Sequence, residues 1–163
     1  MSKFHICLLT LFCASVIASE AQPRVAVMPF RNMDGRMQFD PYSKTLADSL
    51  RTMLMHSEAG QGRFYMIPGD SITAVLATIN TDPNNPQYDS DLWFAIEKLQ
   101  ADYVVWGNFN VQGEKFLINA YVYDFETKLA DPANQAKNLY KAPEQALETV
   151  PVMTRKLLPA LLK

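Results

Sequence analysis

Residues 101–124 constrain the fold more than any other stretch of the chain. The run Ala101-Asp102-Tyr103-Val104-Val105-Trp106-Gly107-Asn108-Phe109 is rich in β-branched and aromatic side chains. In an extended chain Tyr103, Val105, Gly107 and Phe109 share one side, and Val104, Trp106 and Asn108 share the other. Both sides are largely apolar, so the pattern predicts a strand covered on both faces. Gln112-Gly113-Glu114 supplies a turn, and a second strand follows over residues 115–124. Its inner row is Phe116, Ile118, Ala120 and Val122, and its outer row is Leu117, Asn119, Tyr121 and Tyr123. That alternation gives one face more polar than the other. The two strands make a hairpin, and further strands can add only at its edges. Such residues are read first as core; they carry fold information and no chemistry.

The chain has 163 residues, 48% of them hydrophobic, enough for one domain with a real core. A formal net charge of -2 argues against nucleic-acid binding or a polybasic membrane patch. Met1-Ser2-Lys3 is a short positive start, and residues 4–18 are an apolar run too short to span a bilayer comfortably. Ser19 and Ala21 put small residues at the -3 and -1 positions of a cut after Ala21. Residues 1–21 therefore read as a cleavable signal peptide and residues 22–163 as one periplasmic or secreted domain, with no transmembrane segment in the mature chain. The alternative is an uncleaved anchor. Both cysteines, Cys7 and Cys13, lie in the signal, so the mature domain is expected to rely on its core without disulfides.

Along the mature chain, residues 24–30 form a first strand that Pro29 should end. A loop over residues 31–39 holds Asp34-Gly35 beside Met33, Met37 and Phe39, which are expected to fold back onto the core. Asp40 and Pro41 open a helix as N-cap and first residue, with Leu46, Ala47, Leu50, Met53 and Leu54 on its apolar face and Lys44 paired to Asp48 outside. Gly60-Gln61-Gly62 is a turn; it lacks the lysine and hydroxyl residue of a phosphate-binding loop. Residues 63–68 form a short strand. Asp70 then caps a helix bearing Ile72, Val75, Leu76 and Ile79, and residues 80–88 form a loop. Ser90 or Asp91 caps a third helix, where Leu92, Ala95, Ile96 and Leu99 are widened by Trp93 and Phe94. After the hairpin comes a weaker strand between residues 129 and 140, interrupted by Pro132. A last helix opens at Pro143. Leu147, Val150, Met153, Leu157, Leu158 and Leu161 mark its apolar face, Pro151 should kink or split it, and Pro159 should fray its end. The order predicts a single α/β domain, a mixed β-sheet with helices packed on its faces.

Four motifs in this order resemble a known family. Val25-Ala26-Val27-Met28-Pro29-Phe30 with Asn32 is similar to the opening strand of TolB amino-terminal-domain-like proteins, and Leu46-Ala47-Asp48-Ser49-Leu50 to their first helix. Residues 101–109 and 119–124 resemble the strands that follow. The wider group includes the envelope proteins CsgG, FlgT, FlgO and LpoB. The 163 residues hold no β-propeller of the TolB kind, no proline-rich linker and lipidation cysteine of the LpoB kind, and no long amphipathic strands of the CsgG kind. The resemblance implies a single adaptor-like module with no catalytic residues to carry over.

Enzyme chemistry is poorly provided for. His56 is the histidine left after signal removal, so a zinc site would need it plus carboxylates, and no nucleophile-elbow motif is present. His56 reads as a helix C-terminal residue interacting with the dipole. Asp89 with Asp91, and Asp102 with Asp124, read as helix-start and strand-end residues. No cofactor and no metal site is expected. The leading reading is a non-enzymatic periplasmic module that binds another envelope protein. Its alternatives are a CsgG-like envelope-assembly or secretion subunit that forms a homo-oligomer, and a periplasmic hydrolase or small-molecule binder. Candidate partner-binding residues are Arg31, Met33, Arg36, Met37 and Phe39 in the loop, and Tyr121 and Tyr123 on the polar strand face, because arginine, methionine and aromatic side chains concentrate at interface centres. Amino-terminal sequencing of the mature protein should begin at Gln22; a chain beginning at Met1 would contradict the signal reading.

Overall fold

A computed structural model of the chain describes residues 21–82 and 85–163. The expected signal peptide and both cysteines fall, Ala21 apart, outside the described residues. Six strands form one mixed sheet: β1 (Arg24–Val27), β2 (Arg31–Asn32), β3 (Tyr65–Met66), β4 (Tyr103–Gln112), β5 (Lys115–Asp124) and β6 (Ala130–Lys141). Their order is β3-β1-β4-β5-β6, with β2 also against β4. The β1, β2 and β3 pairings are parallel, whereas β4-β5 and β5-β6 are antiparallel. The helices are α1 (Asp40–Met55), α2 (Gly69–Leu76), α3 (Tyr88–Lys98) and α4 (Val150–Leu161). The α/β class, the mixed sheet and the central hairpin are as expected.

The hairpin is the frame. Its strands pair without interruption from Tyr103 against Asp124 to Gln112 against Lys115. Gly113, at φ +62°, takes the left-handed backbone that the connection requires. One sheet face carries Val25, Val27, Val105, Phe109, Phe116, Ile118, Ala120 and Val122, all buried beneath α1 and α4. On the other face Ala26, Met28 and Val104 are buried beneath Ile72 of α2 and Leu92 and Ile96 of α3. That second cover ends at β4, and the outer row of β5 (Leu117, Asn119, Tyr121 and Tyr123) is only half-buried.

Pro29 interrupts the first strand rather than ending its pairing. The Met28 N–H donates to the Val105 carbonyl at 2.9 Å, the Phe30 N–H turns away to Ser43, and pairing with β4 resumes at Arg31 and Asn32. The detour drives the Phe30 ring onto Gly107, where an added Cβ would lie 2.2 Å from Phe30 Cε1 and 2.7 Å from the Asn119 carbonyl oxygen.

Several local expectations are corrected. Asp40 and Asp70 do not cap; the N-caps of α1 and α2 are Phe39 and Pro68, and Asp40 instead accepts a 2.8 Å bond from Asn32 Nδ2. Gln87, not Ser90 or Asp91, precedes α3 as its cap. Met53, Phe94 and Leu147 are exposed. Leu147 turns outward because residues Pro143–Thr149 form a 3-10 helix, and the α-helix begins only at Val150 with Pro151 in its first turn. Pro159 sits inside α4, which continues to Leu161. The weak strand is a 12-residue element, irregular where its register to β5 shifts.

Gly107→Ala should destabilise the protein by at least ~1–3 kcal/mol, the usual range for forcing atoms into a packed interior. One obstacle is backbone and cannot rotate away. The denaturant midpoint measures this; a midpoint equal to that of the parent chain would contradict the close packing.

Candidate functional site

The uncovered second face makes an open groove of about 330 Å³ beside α3. Its floor is the outer side of the hairpin: Trp106 and Asn108 from β4, Tyr121 and Tyr123 from β5. One wall is α3, through Asp89 and Trp93. Arg31 and Met33, brought in where β2 joins β4, close one part of the rim, and Lys128 from the turn after β5 closes another. The two sets of candidates therefore meet: Arg31 and Met33 from the loop stand with Tyr121 and Tyr123 from the strand.

Arg36, Met37 and Phe39 do not join them. Phe39 folds onto the core, edge-on to Phe116 with ring centroids 5.0 Å apart. Arg36 lies 4.9 Å over the Phe39 ring and 3.6 Å from the Asp34 carboxylate. Met37 is 83% exposed on the 3-10 turn Met37–Phe39, and Met33 is 54% exposed, so neither methionine folds back as expected.

Aromatic packing sets the shape of the groove. Trp93 meets Trp106 at 6.5 Å and Tyr123 at 6.2 Å, both near-perpendicular at 78°. Trp106 and Tyr123 are 6.2 Å apart and tilted by 59°, as are Tyr121 and Tyr123. These edge-on and tilted arrangements are those that ring quadrupoles favour. Cations hold the rim: the Arg31 guanidinium lies 4.7 Å over the Tyr88 ring, and Lys128 Nζ lies 5.6 Å over Trp93. Burial pushes the Tyr88 and Tyr123 phenols above their ordinary value; for Tyr123, the neighbouring Tyr121 and Asp89 add to the rise.

The sequence singled out neither tryptophan for the site. It assigned Trp93 and Trp106 to the core, and both are half-buried. The available signal was that Trp106 shares its side of β4 with Asn108, a polar neighbour that a fully covered face would exclude.

Three of the four aspartates weighed for catalysis are engaged structurally, and the fourth, Asp89, lines the groove. Asp102 accepts the Arg24 N–H at 2.7 Å, Asp124 accepts the Thr127 N–H at 2.8 Å, and Asp91 accepts from Asn85 at 3.2 Å. His56 is the C-cap of α1, and its Nδ1 donates to the Thr52 carbonyl at 2.8 Å. Among the described residues, no group of three or more histidine, cysteine, aspartate or glutamate side chains is placed to hold a metal ion, and no helix is long and apolar enough to cross a membrane.

No protein-family model and no curated protein matches the chain. Solved structures do. The LpoB C-terminal domain from Escherichia coli is 13% identical over 75% of this chain and 84% of that one, with a TM-score of 0.50. The NMR structure of E. coli LpoB is 13% identical over 75% of this chain, with a TM-score of 0.53; the match spans 58% of that longer chain. TolB from Acinetobacter baumannii is 20% identical over 80% of this chain and 27% of that chain, with a TM-score of 0.44. This chain has the fold of the LpoB C-terminal domain, a member of the group that the sequence motifs resemble.

Ionisation of Tyr123 should quench the adjacent tryptophans with a midpoint above pH 10.0, the ordinary tyrosine value, and that transition should be absent in Tyr123→Phe. A fluorescence titration measures it; a midpoint below that value would contradict the burial of the phenol.

Proposed function

We propose that this protein is a non-enzymatic interaction module of the bacterial cell envelope, exported to the periplasm, that binds another envelope protein through the groove between α3 and the hairpin. The observation that carries this reading is the convergence of Arg31, Met33, Trp93, Trp106, Tyr121 and Tyr123 on one open surface. Tryptophan, tyrosine and arginine are the residue types that dominate binding energy at interface centres, and methionine adapts its shape to a partner. The likeness to LpoB supports the reading at the level of fold alone. The export signal read in residues 1–21 supports the compartment.

The groove is built on a rigid frame, since its floor side chains stand on the two best-paired strands. Little ordering entropy is then lost on binding beyond that of the rim residues. The ring-forming alternative would join copies of the chain head to tail through two different surfaces; sedimentation of the purified mature protein separates the two, and a monomer is expected.

Met33→Ala combined with Tyr121→Ala should weaken recovery of the partner in a crosslinking pulldown from the native envelope by about tenfold, or ~1.4 kcal/mol. The melting temperature should change little, because Met33 is exposed and Tyr121 lies on the open face. Met37→Ala should leave recovery intact. Undiminished recovery by the double variant would overturn the proposal.

A further inference from the structure

Among the described residues methionine is the only sulfur-bearing residue type. Its seven described copies divide into two groups. Met28, Met66 and Met153 are at most 8% exposed, whereas Met33, Met37, Met53 and Met55 are between 39% and 83% exposed. Methionine is ordinarily an interior residue. A thioether in the open is a soft, adaptable contact, and it is also a site of oxidation.

Met33 differs from the other exposed methionines by its place. It lines the groove, and it also lines a larger hollow of about 890 Å³ that opens between the end of β1, the start of α1 and α2. Arg31 and Trp106 are shared by the two hollows in the same way, so Met33 stands on the boundary between them.

We propose that Met33 is a reversible oxidation site: hydrogen peroxide converts its thioether to the sulfoxide in the folded protein, and the sulfoxide form binds the envelope partner more weakly. This rests on the groove's being the partner-binding surface, and it names the chemistry that regulates that surface. In the forward step the peroxide O–O bond breaks and an S–O bond forms. One oxygen stays on sulfur and the other leaves as water. Sulfur gives up two electrons and the peroxide takes them. In the return step a methionine sulfoxide reductase removes the oxygen as water while two thiols become a disulfide.

The local structure lets this happen without unfolding. The Met33 N–H donates to the Phe109 carbonyl at 2.9 Å. Asn32 Nδ2 donates to the Arg36 carbonyl at 3.0 Å and to Asp40 at 2.8 Å, and the Asp34 carboxylate accepts the Val111 N–H. None of these bonds uses the Met33 side chain, so a change at its sulfur leaves the loop backbone in place. At Met28 or Met153 the same change would bury a polar oxygen in the core, and the fold closes those sites to peroxide.

At Met33 the cost falls on binding. The thioether is flexible and apolar, and the sulfoxide is polar and chiral. A partner packed against the thioether would have to strip water from the new oxygen. A bound partner covers Met33 and leaves Met37 open, so the free protein is the form that is oxidised.

The test treats the purified mature protein with hydrogen peroxide and maps the modified sites by peptide mass spectrometry. Met33 and Met37 should gain one oxygen each before Met28, Met66 or Met153 does, with the melting temperature unchanged. Recovery of the partner in the pulldown should fall several-fold after oxidation and return after treatment with the reductase. Met33→Leu, which keeps an apolar side chain of similar volume, should retain the partner and lose the sensitivity to peroxide. Met37→Leu should stay as sensitive as the parent. Met33→Gln, which carries a polar group in place of the sulfur, should lower recovery with no peroxide added. The proposal is overturned if Met33 stays reduced while Met37 is oxidised, if the oxidised parent keeps its partner, or if oxidised Met33→Leu loses it as the parent does. If Met33→Ala with Tyr121→Ala loses the partner but oxidation does not, this inference falls and the interaction surface stands. If that double variant keeps the partner, the interaction surface itself falls and the regulation with it.

Discussion

The close approach of Phe30 to Gly107 governs both the core and the open surface. Pro29 cannot donate to the ladder, so the first strand leaves β4 over Pro29 and Phe30, and Phe30 swings onto the buried face where Gly107 has no side chain. Phe30 is 1% exposed and belongs to the core shared by α1, α4 and the hairpin. The next residue resumes pairing, which sets Arg31 over Tyr88 and beside Trp106. A single glycine thus admits the ring that locks β1 and β2 to the hairpin and places the first rim residue of the groove. The same stretch is among the motifs that resemble the TolB amino-terminal-domain-like group, and the packing gives a physical reason for a proline, a phenylalanine and a glycine at these positions.

The groove itself follows from unequal cover. α1 and α4 together span one face of the sheet, and the irregular β6 extends that core through the buried Ala136. On the opposite face the fully buried cover from α2 and α3 ends at Val104, and Trp93 of α3 reaches on to Trp106 and Tyr123. Beyond them the sheet offers alternating Trp, Asn and Tyr side chains that are half-covered by one another. Aromatic residues suit this position because they bury their ring bodies against neighbours while keeping a polar atom at the solvent boundary.

What could be read from the sequence follows from which signals are local. The rows of β4 and β5 were legible because a period of two survives in the residues themselves: Phe116, Ile118, Ala120 and Val122 are all buried. The apolar faces of α1 and α3 were legible through their period of 3.6, apart from Met53 and Phe94, which are exposed. β6 read as weak because Pro132 and its register shifts break the alternation. Helix caps misled because Asp40 finds a tertiary partner in Asn32, which competes with the local bond. Leu147 misled because residues before Pro151 wind as a 3-10 helix, which rotates the apolar stripe away from the core. Of the residues that line the open groove, Arg31, Met33, Tyr121 and Tyr123 were among the candidates read from the sequence. Trp93, Trp106, Asp89 and Lys128 were not; the signal that bore on them was the presence of Asn108 and Asn119 on a face otherwise built mostly from aromatic residues.

The claim at the centre of this account is that the half-covered face of the hairpin is where the protein meets its partner. Site-specific photocrosslinking tests it most directly, with the photoreactive group placed at Tyr121 in the groove or at Tyr140 on β6, and with the protein in its native envelope. The account predicts a discrete adduct to another protein from Tyr121 and none from Tyr140. Adducts from Tyr140 alone would contradict it and would move the interface to the sheet edge.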